Sequence, residues 1–451
     1  MNDLFLKTRR EFLRGSVLGG ALTWTVPAFL SHTFDALHTE AATQSQPATG
    51  KDNTILVVLQ LAGGNDGLNT VVPVTNDFYH RARPGIALKA SLHKLTDEFS
   101  LHPGLTALKE VYDAGQLSII HGVGYPNPNR SHFRSTEIWQ TASDANKFEK
   151  YGWLGRYFDS ACKGSDPTVG VSVGRAMPQA FTGPKPVGIS LENPEQYRIA
   201  GNDAPEEGET AGSMDFMARL NGVNPPEGLG AEFNSGVTIG SVSGPVQTQL
   251  SPLDYLERTA LDAQVSSEKI LKITRSGKND ATYPFSNLAN SFKLVARLIG
   301  GGLPTRVYYL SQGGYDTHTN QSGQHQRLLN DLGGALKAFL ADIKAQGNAD
   351  RVLVMSFSEF GRRVAQNANG GTDHGASAPM FIAGAKTKPG LLGKFPSLAP
   401  NDLTNGDPRY TTDFRSVYAG VLQDWLRTSP APVLGRPFEP FQCVATAAKP
   451  A

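Results

Sequence analysis

Four short stretches of this sequence carry side chains that could hold a metal ion. Asp66 stands in AGGNDGLN, Asp316 and His318 in GGYDTHTN, Glu359 in FSEFGRR, and Asp373 and His374 in GGTDHG. Carboxylate oxygen mixed with imidazole nitrogen suits Zn²⁺, Mn²⁺ or Mg²⁺. One such ion, or a pair, can stabilise charge on a phosphoryl oxygen and activate a hydroxyl. A hydroxyl is at hand in a fifth stretch, NPNRSHFRSTEIWQTA, where Ser131 precedes an amphipathic run. Serine there could cap a helix, being a preferred cap. It could also attack as a nucleophile from the positive end of the helix dipole. Arg130, Arg134 and Arg362 could grip an anionic group by forked hydrogen bonds, or merely stabilise helices and surface. Taken singly each stretch is weak, since Asp and Thr settle readily into turns.

What gives them weight is the order of the elements. ILVVLQL, LSIIHGVGY, RVYYLSQ, RVLVMSFS and APMFIAGA are apolar runs bounded by turn residues, the pattern of buried strands. Between them lie helical patterns: LHPGLTALKEVYDAGQ, FSNLANSFKLVARLIGGG, QHQRLLNDLGGALKAFLADIKAQG and TTDFRSVYAGVLQDWL. A further helix is predicted over SPLDYLERTALDAQVSSEKILKITRSG. This alternation predicts an α/β fold, a three-layer α/β/α sandwich on a mostly parallel sheet. Ligands of such sheets gather outside the carboxyl ends of the strands. Asp66, Asp316, His318 and Glu359 each follow a strand, and LSIIHGVGY leads to Ser131. His80, His93, His102 and His121 have no partner motif and read as structural, while Trp139, Trp153 and Trp425 read as packing residues.

The chain has 451 residues, 39% hydrophobic and 18% charged, with a net charge of +1. That is globular composition, and no basic stripe points to nucleic acid. Thr8-Arg9-Arg10-Glu11-Phe12-Leu13 precedes a weak apolar run ending near Leu30, too short for a stable transmembrane segment. We read residues 1–41 as a twin-arginine signal peptide, which makes the protein exported, periplasmic or extracellular, with the translocase as its partner during export. Residues 42–53 read as a linker, 54–445 as one domain with a loop-rich insertion at about 163–251, and 446–451 as a tail. Cys162 and Cys443 are the only cysteines. They could pair in an oxidising compartment, although their spacing does not say so.

Together with the twin-arginine signal, LQLAGGNDGLN, YPNPNRSHFRSTEIWQ, GGYDTHTNQ, FSEFGRR and GGTDHG closely resemble the family called domain of unknown function 1501. That family is similar to the alkaline phosphatase and sulfatase superfamily. The resemblance implies an alkaline-phosphatase-like fold and a hydrolase with one or two divalent metal ions. It implies that Asp66 binds one metal, that Ser131 is the nucleophile with Arg134 nearby, and that Asp316, His318 and His374 bind the other metal. Glu359 sits where the superfamily has an Asp-His pair, so Phe360 stands in place of a histidine ligand. One metal, a substitute ligand such as Asp373 or His325, or lost catalysis would each follow from that departure. The formylglycine pattern of sulfatases is absent from Ser131-His132-Phe133-Arg134 and from Cys162-Lys163-Gly164. The expected function is a metal-dependent hydrolase of phosphate or sulfate esters acting on an anionic substrate; the alternative is a non-catalytic exported binding or assembly protein. Replacing Arg9 and Arg10 by lysine should leave unprocessed precursor in the cytoplasm, read by immunoblotting of cell fractions.

Overall fold

All seven residues of Ile55–Leu61 are buried, as an uninterrupted apolar run becomes when both faces of a strand are covered. The computed structural model describes residues 53–162, 167–174, 176–184, 188–192 and 269–445. There this strand lies inside a nine-stranded sheet. It pairs in parallel with Val307–Gln312 on one side and Val352–Phe357 on the other. Beyond Val307–Gln312 come Gly170–Val173 and Ile189–Leu191, both parallel. Beyond Val352–Phe357 come Ala378–Ala383 and then Leu117–Gly124, whose far edge takes Gly390–Leu392 and Thr412–Asp413. Ala378–Ala383 alone runs antiparallel to its neighbours.

Side chains alternate across a strand, and here the alternation sorts them into two cores. Ile55, Val57 and Leu59 share one core with the helices Thr106–Asp113, Asn287–Gly300 and Gln321–Ala345. Leu56 and Val58 share the other with His132–Thr141, Trp153–Ala161 and Phe414–Gly420. Helices on both faces of a mostly parallel sheet make the expected three-layer sandwich. Trp139, Trp153 and Trp425 are buried in the second core. Ser286 and Asp413 cap their helices, accepting from the Ala289 and Arg415 N–H groups at 3.0 and 2.9 Å.

Several elements differ from the sequence pattern. The long helix starts at Gln321 rather than Gln324, because the Asn320 and Gln321 N–H groups donate to the carbonyls of Asn369 and Gly370. The last helix gives way to a π-turn over Val421–Trp425. Two strands from the start of the expected insertion, Gly170–Val173 and Ile189–Leu191, join the main sheet. Cys162 and Cys443 are buried free thiols. No helix among the described residues is long and apolar enough to cross a membrane. The signal peptide, nearly all of the linker, the tail and most of the insertion lie outside the described residues, as does much of the helix predicted from residue 251, of which 269–276 is helical.

Asp66, expected as a metal ligand, follows the first strand. It is fully buried in an ion pair with Arg83, Nη1 to Oδ2 2.6 Å. Its Oδ1 accepts from Leu68 N–H, capping the short helix Gly67–Thr70, and its Oδ2 also accepts from Gln321 Nε2. Arg83 in turn donates to Asn69 and to the carbonyls of Arg363 and Val364. Burial alone would raise the Asp66 carboxyl, but the Arg83 charge and hydrogen bond outweigh it and hold the pKa below the ordinary value. A depressed folded-state pKa adds stability that is present above the unfolded-state value and is lost as pH falls through the folded one. Removing one partner of a buried pair costs about 3–5 kcal/mol. Arg83→Met should therefore lower the unfolding free energy, read from denaturant titration, by that much at neutral pH. In a Tm-versus-pH series, Asp66→Asn should lack this group's part of the acid-side loss of stability.

Candidate functional site

The reversed strand decides which loops meet. Asp316 and His318 follow Val307–Gln312, and Glu359 follows Val352–Phe357, at the carboxyl ends of parallel strands. Asp373 and His374 precede Ala378–Ala383, and because that strand is antiparallel its leading segment lies at the same end of the sheet. Within that segment Thr372–His374 is a strand, paired with Arg362–Gln366 in a two-stranded ribbon that sets His374 opposite Arg362. Gly371 is required there: a Cβ would lie 2.3 Å from the His318 carbonyl carbon. Gly63, with φ +119, is equally confined, its Cβ direction meeting Asp316 N at 2.4 Å.

The fifth stretch supplies the last wall. Asn127 adopts φ 55, the Asn129 N–H donates to Tyr125 Oη (3.1 Å), and Ser135 Oγ donates to the Asn129 carbonyl (2.6 Å). This anchored turn delivers the Arg130 carbonyl to His374 and places His132 at the start of the helix His132–Thr141.

Four side chains converge on one point. His318 Nε2 is 3.0 Å from Asp316 Oδ1 and 2.9 Å from His374 Nε2. His374 Nε2 is 3.1 Å from the same oxygen, and His132 Nε2 is 3.4 Å from Asp316 Oδ2. Ligand atoms of His132, Asp316 and His374 all lie within 4.8 Å of one another; His318 adjoins Asp316 and His374 at the distances above. The opposite ring nitrogens face acceptors as well. His374 Nδ1 faces the Arg130 carbonyl at 2.8 Å, His318 Nδ1 faces Asp373 Oδ1 at 3.2 Å, and His132 Nδ1 faces Glu359 Oε1 at 2.9 Å. A carbonyl or an ionised carboxylate only accepts, so each of these contacts is satisfied by a hydrogen on Nδ1. With the hydrogens on Nδ1, each neutral ring offers an Nε2 lone pair to Asp316, itself an acceptor. Lone pairs about 3 Å apart repel unless a positive charge lies among them. A proton relieves one edge of the triangle formed by His318, His374 and Asp316; a cation relieves all three. An ion about 2.0–2.2 Å from each atom can sit above a triangle of this size. Outer partners that fix imidazole orientation are the usual setting of metal-bound histidine, so these residues fit a divalent metal.

Electrostatics agree. Partial burial raises the Asp316 carboxyl, but the Arg362 hydrogen bond, the His374 contact and the Arg362 charge hold it down to about 2. Burial lowers the His374 pKa below the ordinary value, with the Arg362 charge assisting, which favours the neutral ring. Asp373 is held low by Asn367 first and then by His318.

The other candidates have different surroundings. Glu359 accepts from His132 and from the Gly63 N–H (2.8 Å), so it orients a candidate ligand while its second oxygen stays buried and unpartnered. Phe360 is buried, its ring 4.9 Å from His132 and 4.5 Å from His374, and forms an apolar floor. His325 is buried 3.0 Å from Asn65 Oδ1, and burial pushes its pKa down to about 3. Arg362 is turned inward among backbone carbonyls. Arg130 pairs with Asp407. Arg134 pairs with Glu137, donates to carbonyls of Asp144, Ala145 and Lys147, and stacks on Phe148 at 4.0 Å; its guanidinium is thereby occupied. His132 went unread in the sequence, although it directly follows Ser131 and opens the helix.

Ser131 occupies the N-cap position with extended backbone, but its hydroxyl makes no capping bond. It is exposed, between the Arg130 carbonyl on His374 and the His132 ring on Asp316. A serine cap that bonds the helix contributes about 0.5–2 kcal/mol. Ser131→Ala should cost less than about 0.5 kcal/mol in denaturant unfolding, since no such bond is lost.

Solved structures similar to this chain include a protein in the alkaline phosphatase superfamily from Vibrio parahaemolyticus, at 12% identity over 86% of this chain and 71% of that one, TM-score 0.37. The lipoteichoic acid synthase LtaP from Listeria monocytogenes is 8% identical over 81% and 76%, TM-score 0.30. The alkaline phosphatase from the Antarctic bacterium TAB5 is 11% identical over 75% and 94%, TM-score 0.29. Likenesses of this size assign neither a residue nor a reaction. No curated protein sequence is a significant match. The family model described as protein of unknown function (DUF1501) matches residues 53–433, and the chain belongs to that family.

Proposed function

We propose that this protein is an exported, metal-dependent hydrolase of phosphate or sulfate esters. The observation that carries the reading is the convergence of the Nε2 atoms of His132, His318 and His374 on the two oxygens of Asp316. In this reading Asp316, His318 and His374 hold one divalent ion, with His132 beside it on Oδ2. Three imidazoles to one carboxylate favour Zn²⁺, or Mn²⁺, over Mg²⁺. When bound, the ion would supply Lewis-acid stabilisation of an ester oxygen and lower the pKa of a nearby hydroxyl.

The chain's own groups supply the rest. Ser131 is the nucleophile: its Oγ is exposed and uncommitted to the cap, at the start of a ten-residue helix. The free N–H groups of that first turn and the positive end of its dipole suit the anionic ester. Glu359 keeps the hydrogen of His132 on Nδ1, and Asp373 does the same for His318. Asp66 and Arg134 take no part, being held by Arg83 and by the Asp144–Phe148 loop. A second reading, a non-catalytic binding or assembly protein, draws on Phe360, which puts a ring where a histidine ligand was expected.

Elemental analysis of the folded, unchelated protein should find stoichiometric zinc or manganese. Loss of His318 or His374 to alanine should weaken zinc binding by more than the roughly 10–100-fold typical of outer-shell changes, with the fold retained by circular dichroism. A screen of phosphomonoesters, phosphodiesters and sulfate esters should find turnover that Ser131→Ala abolishes while its metal stays bound. Metal-loaded protein inert to every ester class would favour the binding-protein reading, and full activity in Ser131→Ala would remove the nucleophile.

A further inference from the structure

The candidate centre depends on an Nδ1–H tautomer of His374, and its partner is a loop carbonyl rather than a carboxylate. A neutral imidazole can carry its hydrogen on either nitrogen. In His374 the competing tautomer has a ready acceptor: an Nε2 hydrogen would point at Asp316 Oδ1, 3.1 Å away. That bond would close the very atom the site must keep open. The Arg130 carbonyl, 2.8 Å from Nδ1, biases the ring the other way. It can do so only if it is held in place, because Arg130 lies between strand and helix, outside any ladder.

We propose that Asp407 is the positioning residue that holds it. Its Oδ2 accepts from both Nε and Nη2 of Arg130, the former at 3.0 Å. The Asp407 side chain is 2% exposed, against 34% for Arg130, so the carboxylate is the fixed partner. Paired backbone hydrogen bonds with Thr404, each 3.1 Å, close the turn that carries it. The Val364 N–H donates to Gly406 in that turn at 3.2 Å. Val364 belongs to the ribbon strand Arg362–Gln366, which also pairs with His374. Asp407 and His374 are thus referenced to one ribbon, and Arg130 is clamped between them, side chain on one and carbonyl on the other. A buried carboxylate is expensive to desolvate, and burial raises the Asp407 pKa. Retaining a charge there is reasonable for a group that must fix a partner's position.

The inference rests on the metal-site reading for its purpose, but its geometry can be tested without metal. The test uses ¹⁵N-histidine-labelled full chain, metal-free, with the His374 ring assigned by loss of its signals in His374→Gln. Arg130→Ala keeps the carbonyl and removes the clamp at a half-exposed side chain; Asp407→Asn keeps an acceptor without the charge. The unaltered protein should show His374 as the Nδ1–H tautomer. Arg130→Ala should populate the Nε2–H tautomer, with Asp407→Asn intermediate, and zinc affinity should fall in the same order by roughly 10-fold or more. A merely structural ion pair would lower Tm and leave the tautomer alone. A folded Arg130→Ala protein with His374 still wholly Nδ1–H overturns the proposal. If the tautomer shifts as expected but no variant, nor the unaltered protein, binds zinc, the clamp stands and the metal reading fails.

Discussion

One buried guanidinium ties the candidate site to the sheet. Arg362 is 1% exposed. Its Nε donates to the Gly64 carbonyl and its Nη1 to Thr372, both at 2.7 Å, and its Nη2 reaches Gly63, Tyr315 (2.9 Å) and Asp316 Oδ1 (2.8 Å). Those carbonyls belong to the turn after the first strand, the loop after Val307–Gln312, and the ribbon. A charge this deep is tolerated only when its donors are matched. Lysine, with a single ammonium, could not span three segments in this way. The same group that fixes the loops fixes one oxygen of Asp316, so the positions of His318 and His374 relative to that carboxylate follow from the packing of Arg362.

Two features of the sheet then close the arrangement from below. The antiparallel strand Ala378–Ala383 brings the ribbon to the carboxyl end, where a parallel strand would have carried Asp373 and His374 to the opposite edge. Phe360 fills the space beneath His132 and His374 and comes so near the first turn that Gly64, at φ +79, has no room for a side chain; its Cβ would lie 2.3 Å from the ring. An apolar floor offers no hydrogen bond to the imidazoles, which leaves their orientation to Arg130, Asp373 and Glu359.

The strands and most helices were legible because their signal is local: ILVVLQL or RVLVMSF can satisfy an apolar run only as a covered strand. The direction of APMFIAGA was not legible, since apolar periodicity carries no sign. Asp316 and His318 could be singled out by residue type after a strand and His374 by its motif ahead of APMFIAGA, and the structure brings the three together. Asp66 has the same signal, yet lies in a buried pair with Arg83, because a carboxylate after a strand serves equally as a cap and a counterion. His132 was missed for the converse reason: at the first turn of a helix it looked like part of the amphipathic run. The outer partners, Asp407 with Arg130 above all, join residues 277 positions apart, and nothing short of the folded chain places them side by side.

The two oxygens of Asp316 face different environments, and this asymmetry gives the centre a direction. Oδ1 is backed by the buried Arg362 and faces His318 and His374, whose side chains are 39% and 19% exposed. Oδ2 faces His132, the first residue of a helix whose preceding serine is exposed. The Asp316 side chain is 46% exposed overall while its arginine partner is 0%, which places the solvent on the side away from the guanidinium. In the proposed reading a reactant can approach across His132 and the start of the helix. Along that path it meets free N–H groups of the first turn, the Ser131 hydroxyl and Oδ2, in a setting where the dipole favours an anion. The path also shows why a histidine rather than a larger or charged side chain suits position 132: its ring bridges Glu359 below and Asp316 at the mouth, leaving the helix end uncovered.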